Sequence, residues 1–119
     1  MATAVKRKLS GSTNGLPIKV AATATAGTAI HAAVAGTTPG TFDEIWLWAV
    51  NSHTNNVLLT LEWGDVHPPD DIVSMVIPPG VGPVPVVPGW ILQNSKAVTA
   101  FAALANVITI IGFVNAITD

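Results

Sequence analysis

The stretch FDEIWLWAVNSH, Phe42 to His53, decides the fold. With the two-residue period of a β-strand, it has one aliphatic face and one face with two indoles: Ile45, Leu47 and Ala49 against Trp46, Trp48 and Val50. A strand of a β-sandwich normally turns apolar residues inward and polar residues outward. Because both faces are apolar here, the stretch predicts a β-strand with a second covered face.

The rest of the chain continues this pattern of short strands. Turn residues recur every 8–12 residues, and no segment has the length and period of a helix. The 119 residues therefore predict an all-β fold, an antiparallel β-sandwich or jelly roll of 7–9 short strands. Residues 16–119 form its single domain, preceded by an extended N-terminal arm, residues 1–15. Phe42–His53 and the following VLLTLEWG are expected to pair as a hairpin.

The outer face of the central strand needs a cover. An exposed patch with two indoles would drive association, so contact between subunits is one explanation, and a loop folded over the face is the other. We expect subunit contact in a closed symmetric oligomer, because such a ring leaves no apolar surface free. The predicted interface combines the outer face of this strand with one face of the last strand: Trp46, Trp48, Val50, Ile108, Ile110 and Val114.

Charge is scarce and unevenly distributed. Residues 1–19 hold four positive charges and no acid, whereas the other hundred residues hold one Lys and seven acids. The basic cluster Lys6, Arg7 and Lys8 is either a contact for an acidic partner or part of a solvated, frayed terminus. As a detachable arm, residues 1–12 should be removable without loss of the fold. The remainder lacks the basic, aromatic face of a nucleic-acid binder, so no nucleic-acid partner is expected.

Groups for catalysis are few. The three His lie in separate segments, and Asp43 and Glu44, as neighbours on a strand, point to opposite faces. No nucleophile, phosphate-loop or zinc motif occurs, so neither enzyme activity nor a cofactor is expected. The loop DVHPPDD is the one weak metal candidate, through Asp65, His67, Asp70 and Asp71. Its alternative is a solvated acidic loop, held extended by its two prolines.

The last third of the chain raises a membrane question. Residues 97–118 carry no charge and are long enough to span a bilayer as a helix. They also contain two Asn, and their second half is rich in β-branched side chains, which favour strands. We therefore expect two strands here and no membrane partner.

Three strings together resemble the small jelly-roll decoration (cement) proteins of tailed-bacteriophage heads: DEIWLWAVNSHTNNVLLTLEWG, IPPGVGPVPVVPGWIL and AVTAFAALANVITIIGFVNAI. The resemblance covers about residues 42–118. It implies a homotrimer made in the host cytoplasm and seated on the major capsid protein, on the capsid exterior of the virion. Residues 1–15, with Lys6, Arg7 and Lys8, would be the capsid-contact arm. The alternative is a tail, neck or spike β-sandwich that binds a receptor or glycan through Trp63, Trp90 and the acidic loop.

Overall fold

The computed structural model describes residues 2–119, which form nine β-strands. In chain order they are β1 (Thr3–Lys8), β2 (Ile18–Lys19), β3 (Thr28–Ala32), β4 (Phe42–Asn51), β5 (Val57–Trp63), β6 (Ile72–Ile77), β7 (Val84–Leu92), β8 (Ala97–Ala102) and β9 (Ile108–Thr118). Within residues 2–119 no helix is long and apolar enough to cross a bilayer. Residues 97–118 instead supply the two predicted strands, β8 and β9.

The strands form two antiparallel sheets that face each other as a β-sandwich. The front sheet has the order β1–β9–β4–β7, with β2 also paired to β9, and the back sheet has the order β3–β8–β5–β6. Most successive strands alternate between the two sheets, which is the jelly-roll arrangement predicted from the sequence. The expected hairpin between β4 and β5 is wrong, because the polar loop after Asn51 carries the chain from the front sheet to the back sheet.

The core lies between the sheets and is aliphatic. Strand β4 alternates strictly between half-exposed and buried residues, and Ile45, Leu47 and Ala49 are fully buried. Leu59 and Leu61 of β5 face them from the back sheet, also without exposed surface. The face that the sequence pattern assigns to the core is therefore the buried one.

Strand β7 closes one edge of the front sheet and contains two prolines. A proline has no N–H to donate, so it is tolerated at an edge and not inside a sheet. The register of β7 against β4 shifts twice, at the pairs Trp46–Pro88 and Trp48–Pro85. The proline-rich segment is thus an edge strand of the front sheet.

The structure does not confirm an extended arm over residues 1–15. Strand β1 pairs with β9 along its whole length, from Thr3 opposite Thr118 to Lys8 opposite Phe113. The chain then crosses to the back sheet, where Gly11 N–H donates a hydrogen bond of 2.9 Å to the carbonyl oxygen of Ile30. Leu9 lies between the sheets with 1% of its surface exposed. The basic segment is therefore an edge strand that pairs with β9 along its whole length, and Leu9 anchors it in the core.

Candidate interaction surface

Three aromatic rings form a row on the outer side of the front sheet. Trp46 stacks on Phe113 with ring centroids 6.3 Å apart, and Trp48 stacks on the same ring at 6.0 Å. The row exists because β4 and β9 pair in a register that places Trp46 opposite Phe113 and Trp48 opposite Ile111. We call the half-exposed outer side chains of these two strands the aromatic face: Trp46, Trp48, Val50, Ile111 and Phe113.

A carboxylate fixes one end of the aromatic face. Glu44 accepts hydrogen bonds from Asn115 Nδ2 at 3.0 Å and from Trp46 Nε1 at 2.7 Å, both on the same oxygen. The bond from Asn115, followed by that from Trp46, lowers the pKa of Glu44, and partial burial opposes this only weakly. The carboxylate therefore stays charged and holds the Trp46 indole in one orientation.

A basic side chain covers part of the row. Lys6 Nζ lies 4.2 Å from the centroid of the Phe113 ring, within the range of a cation–π contact. Lys8, two residues later on the same side of β1, donates from Nζ to the carbonyl oxygen of Ser12 at 2.9 Å. Arg7 pairs with Val114, whose side chain points to the core, so Arg7 lies on the opposite side of β1. The three cations predicted to act together are thus divided between two surfaces.

Two glycines allow the indole of Trp46 to lie flat. A Cβ on Gly89 of β7 would come within 2.8 Å of the indole ring, and a Cβ on Gly112 of β9 would overlap the Trp46 carbonyl oxygen. Gly89 also has a φ of +80°, a conformation that other residues adopt at a cost. The close approach of three strands around Trp46 depends on these two positions.

The predicted interface residues fall on two different faces. Trp46, Trp48 and Val50 are half-exposed on the outer side, as the alternation of β4 requires. Ile108, Ile110 and Val114 were expected beside them, and this is wrong: they are fully buried between the sheets. In the register with β4 they pair with Asn51, Ala49 and Ile45, which also face the core. A second subunit cannot reach them without opening the sandwich.

The acidic loop brings together three of its four candidate ligands. Ligand atoms of Asp65, His67 and Asp71 lie within 4.8 Å of one another, whereas Asp70 is outside this group. The loop is not extended at its prolines, because Asp71 N–H donates to the His67 carbonyl oxygen and closes a turn. Lys96 Nζ lies 3.8 Å from Asp65. The loop has the oxygen and nitrogen ligand atoms of a cation site, and the Lys96 ammonium group already lies beside one of its carboxylates.

The two remaining tryptophans meet near this loop. Trp63 at the end of β5 and Trp90 of β7 pack edge to face with centroids 5.4 Å apart. Trp63 packs against the core, while Trp90 is exposed. Because Trp63 precedes Asp65 by two residues, an exposed indole lies near the acidic loop.

A buried His–Asp pair links the two sheets. His31 Nε2 of β3 lies 2.7 Å from Asp43 Oδ2 of β4, and Ser10 N–H donates to His31 Nδ1 at 3.0 Å. Nδ1 is therefore an acceptor, and Nε2 carries the proton that is donated to Asp43. With both ring nitrogens engaged, His31 is a hydrogen-bonded structural residue. Asp43 and Glu44 do point to opposite faces.

Glu62 is a second buried carboxylate, on the outer side of the back sheet. Its side chain is 1% exposed and accepts hydrogen bonds from Thr99 Oγ1 at 2.6 Å, Thr25 Oγ1 at 2.7 Å and Gly27 N–H at 2.7 Å. Burial favours the neutral acid, but these three donors outweigh it and lower the pKa of Glu62. The carboxylate pins the loop before β3 onto the back sheet.

Sequence reasoning overlooked Phe113, Asn115 and Glu44 as parts of the outer surface. The alternation of β9 contained a signal, since Phe113 and Asn115 occupy the face opposite Val114. Only the register between β4 and β9 shows that this face meets Trp46. Comparison of the chain with protein-family models, with curated proteins and with solved structures gave no match.

Proposed function

We propose that this chain is a structural protein without catalytic activity, which assembles through its aromatic face into a homotrimer and decorates an assembled bacteriophage capsid. The resemblance over residues 42–118 supports the capsid as the larger partner. The observation that carries the proposal is the Trp46–Phe113–Trp48 row, which lies outside the core on a half-exposed sheet surface.

The aromatic face contributes free energy to association. An indole buries roughly 150–250 Å² when fully covered, and neighbouring side chains already cover most of Trp46 and Trp48. Covering the remaining third or less at about 25 cal/mol per Å² stabilises an assembly by at most about 1–2 kcal/mol for each indole. A neighbouring subunit that covers this face meets rings already held in place by Glu44 and Gly89, so little side-chain entropy is lost on contact.

Charged groups at the margin of the aromatic face would orient the docking of a neighbouring subunit. Lys6 lies on the β1 side of the row, and Glu44 lies at the end of the row on β4. A neighbouring subunit that places its own Lys6 toward Glu44 gains a favourable charge contact and fixes the orientation of docking. A closed ring uses every such contact and leaves no face free.

Decoration would stabilise the shell by mass action. A protein that binds the assembled shell and not its separate subunits shifts the equilibrium toward the assembled state. A trimer presents three copies of each contact, so its avidity exceeds the affinity of one chain. The capsid-facing surface then needs only modest contacts, such as those of the basic strand β1.

The test separates assembly from folding. We expect wild-type protein to be trimeric by light scattering and to sediment with capsid shells of the phage that encodes it. Trp46→Thr/Trp48→Thr removes both indoles but retains strand propensity. It should give a monomer with an unchanged β spectrum by circular dichroism and weaker shell binding.

The matched control is Trp90→Thr, which removes an exposed indole elsewhere and should remain trimeric. A wild-type protein that stays monomeric at micromolar concentration would contradict the proposal, and so would a double variant that remains trimeric. Wild-type trimers that do not bind the shell would support the assembly proposal and contradict the decoration proposal.

A second candidate function is a receptor- or glycan-binding module of a phage tail, neck or spike. It is favoured by the exposed Trp90 at the Trp63 edge near the Asp65, His67 and Asp71 group. An indole face packs well against a sugar ring, and a loop cation would orient the hydroxyl groups. Calcium-dependent retention on a glycan array, lost in Trp90→Thr, would favour this function over decoration.

A further inference from the structure

A cleft opens at one margin of the sandwich, between β1 of the front sheet and β3 of the back sheet. Its volume is about 510 Å³, within the range of small-molecule sites. It lies on the inner side of the front sheet, away from the aromatic face. Its polar lining includes Arg7, Ser10, His31 and Asp43, and small apolar side chains complete the wall.

The polar part of the lining is rigid. His31 and Asp43 form the buried pair described above, with 6% and 9% of their side chains exposed. Ser10 is held from both sides, because its N–H donates to His31 Nδ1 and its Oγ accepts from Ala32 N–H at 2.8 Å. These contacts fix the positions of Ser10 and His31 in the cleft wall.

Arg7 is the group with unused binding capacity. Among residues 2–119 its guanidinium has neither an ion pair nor a side-chain hydrogen bond, whereas Lys8 is engaged by Ser12. A guanidinium carries five N–H donors in a planar fork that matches both oxygens of a carboxylate. Because Arg7 lies on the inner side of β1, this fork belongs to the cleft and not to the aromatic face.

The rest of the lining is small and apolar. Ala33 is buried, and Val34 and Ala116 are half-buried, so this part of the wall offers hydrocarbon contact with little bulk. Asp43 contributes one negative charge to the same space. That charge opposes a doubly charged phosphate more strongly than a singly charged carboxylate.

We propose that this cleft binds a carboxylate group carried on a short apolar body, with Arg7 as its anchor. The carboxylate accepts two parallel hydrogen bonds from the guanidinium, and the hydrocarbon part lies against Ala33, Val34 and Ala116. The group belongs either to a free small acid or to an acidic side chain of a bound protein. The site does not depend on the assembly proposed above.

The probe is butyrate, followed by amide NMR spectra of the full chain. We expect saturable shifts confined to residues around the cleft, from Ala32 to Val34 and from Ala116 to Thr118. Arg7→Gln should weaken binding at least tenfold. The matched control is Lys6→Gln, the neighbouring residue on the opposite side of β1, which should bind as wild type does. Ala116→Leu, which fills the wall, should also abolish the shifts.

Three outcomes would overturn the site. These are unsaturable or scattered shifts with butyrate, unchanged binding in Arg7→Gln, or equal binding of n-butylammonium or inorganic phosphate. The source of the group is distinguished by two capped tripeptides, Gly-Glu-Gly and Gly-Gln-Gly. Tighter binding of the Glu peptide than of butyrate, with no binding of the Gln peptide, assigns a protein side chain. Tighter binding of butyrate assigns a free acid.

Discussion

The indole nitrogen of Trp46 lies 2.7 Å from a carboxylate oxygen of Glu44, the residue two positions earlier on the outer side of β4. Asn115 of β9 donates to the same oxygen, so a single acceptor joins two strands and orients the aromatic row. The same contacts lower the pKa of Glu44, which makes the arrangement sensitive to acid.

We therefore expect Glu44 to titrate below the usual value of 4.5 for Glu in carboxyl NMR spectra. Its folded pKa is depressed, so its contribution to stability is present above the unfolded pKa and is lost as the pH falls through the folded pKa. Asn115→Ala should move the pKa back toward 4.5, and Trp46→Phe should do so to a smaller extent. An unchanged pKa in Asn115→Ala would show that this hydrogen bond does not form in solution.

Glu62→Gln should lower the free energy of unfolding at pH 7 by about 1.5–3 kcal/mol, the range for hydrogen bonds to a charged acceptor. The amide replaces one carboxylate oxygen with an NH2 group, so a donor then faces either Thr25 Oγ1 or the pair of Thr99 Oγ1 and Gly27 N–H. Because the folded pKa of Glu62 is lowered, the difference from wild type is full above pH 4.5 and shrinks as the pH falls below it.

Urea unfolding at several pH values measures the Glu62 effect. Glu44→Gln is the matched control, since it removes a carboxylate from a half-exposed surface and should destabilise less. Equal losses in the two variants would mean that the three donors around Glu62 do not distinguish it from a surface carboxylate.

Gly112→Ala should cost about 1–3 kcal/mol, because the new methyl group meets the Trp46 carbonyl oxygen and the Leu47 side chain. Neither the backbone of β4 nor the core can retreat easily. Gly40→Ala is the control: the atoms nearest to its Cβ belong to the side chain of Asp119 and not to the backbone of a paired strand. Thermal unfolding should rank Gly112→Ala well below Gly40→Ala, and a reversed order would contradict the close approach of β4 and β9.

Removal of residues 1–12 should destabilise the fold, contrary to the expectation for a detachable arm. It takes Leu9 from the core, a loss of about 1.5–3 kcal/mol, and strips β1 from β9. The triple variant Lys6→Gln/Arg7→Gln/Lys8→Gln keeps the strand while removing its charge, and it should melt near the wild-type temperature. A truncated protein with the wild-type melting temperature would restore the arm interpretation.

The sequence predicted the strands well wherever alternation was strong. The two faces of β4 and the positions of β5, β8 and β9 followed from local patterns. The pairing partners did not follow. The loop between Asn51 and Val57 has the length and polarity of a hairpin turn, and nothing local distinguishes a turn within one sheet from a crossing between two.

The candidate surface was half predicted for the same reason. Trp46 and Trp48 were placed correctly because their strand was read alone. The inward face of β9 was wrongly assigned to the same surface, because both faces of β9 are apolar. Only the register that places Trp46 opposite Phe113 shows which face of β9 lies beside the indoles. The run Lys6-Arg7-Lys8 suggested one basic cluster, but strand geometry sends its middle member to the cleft.

Leu9 gives the beginning of the chain a mechanical role. A force applied at residue 2 would first separate β1 from β9 one pair at a time. It would then have to pull the Leu9 side chain out of the core before the contacts with the back sheet could break. Residue 118 lies in β9, between β4 on one side and β1 and β2 on the other, so tension there must break two ladders together. A pulling force at residue 2 should therefore detach its strand at a much smaller load than a pulling force at residue 118.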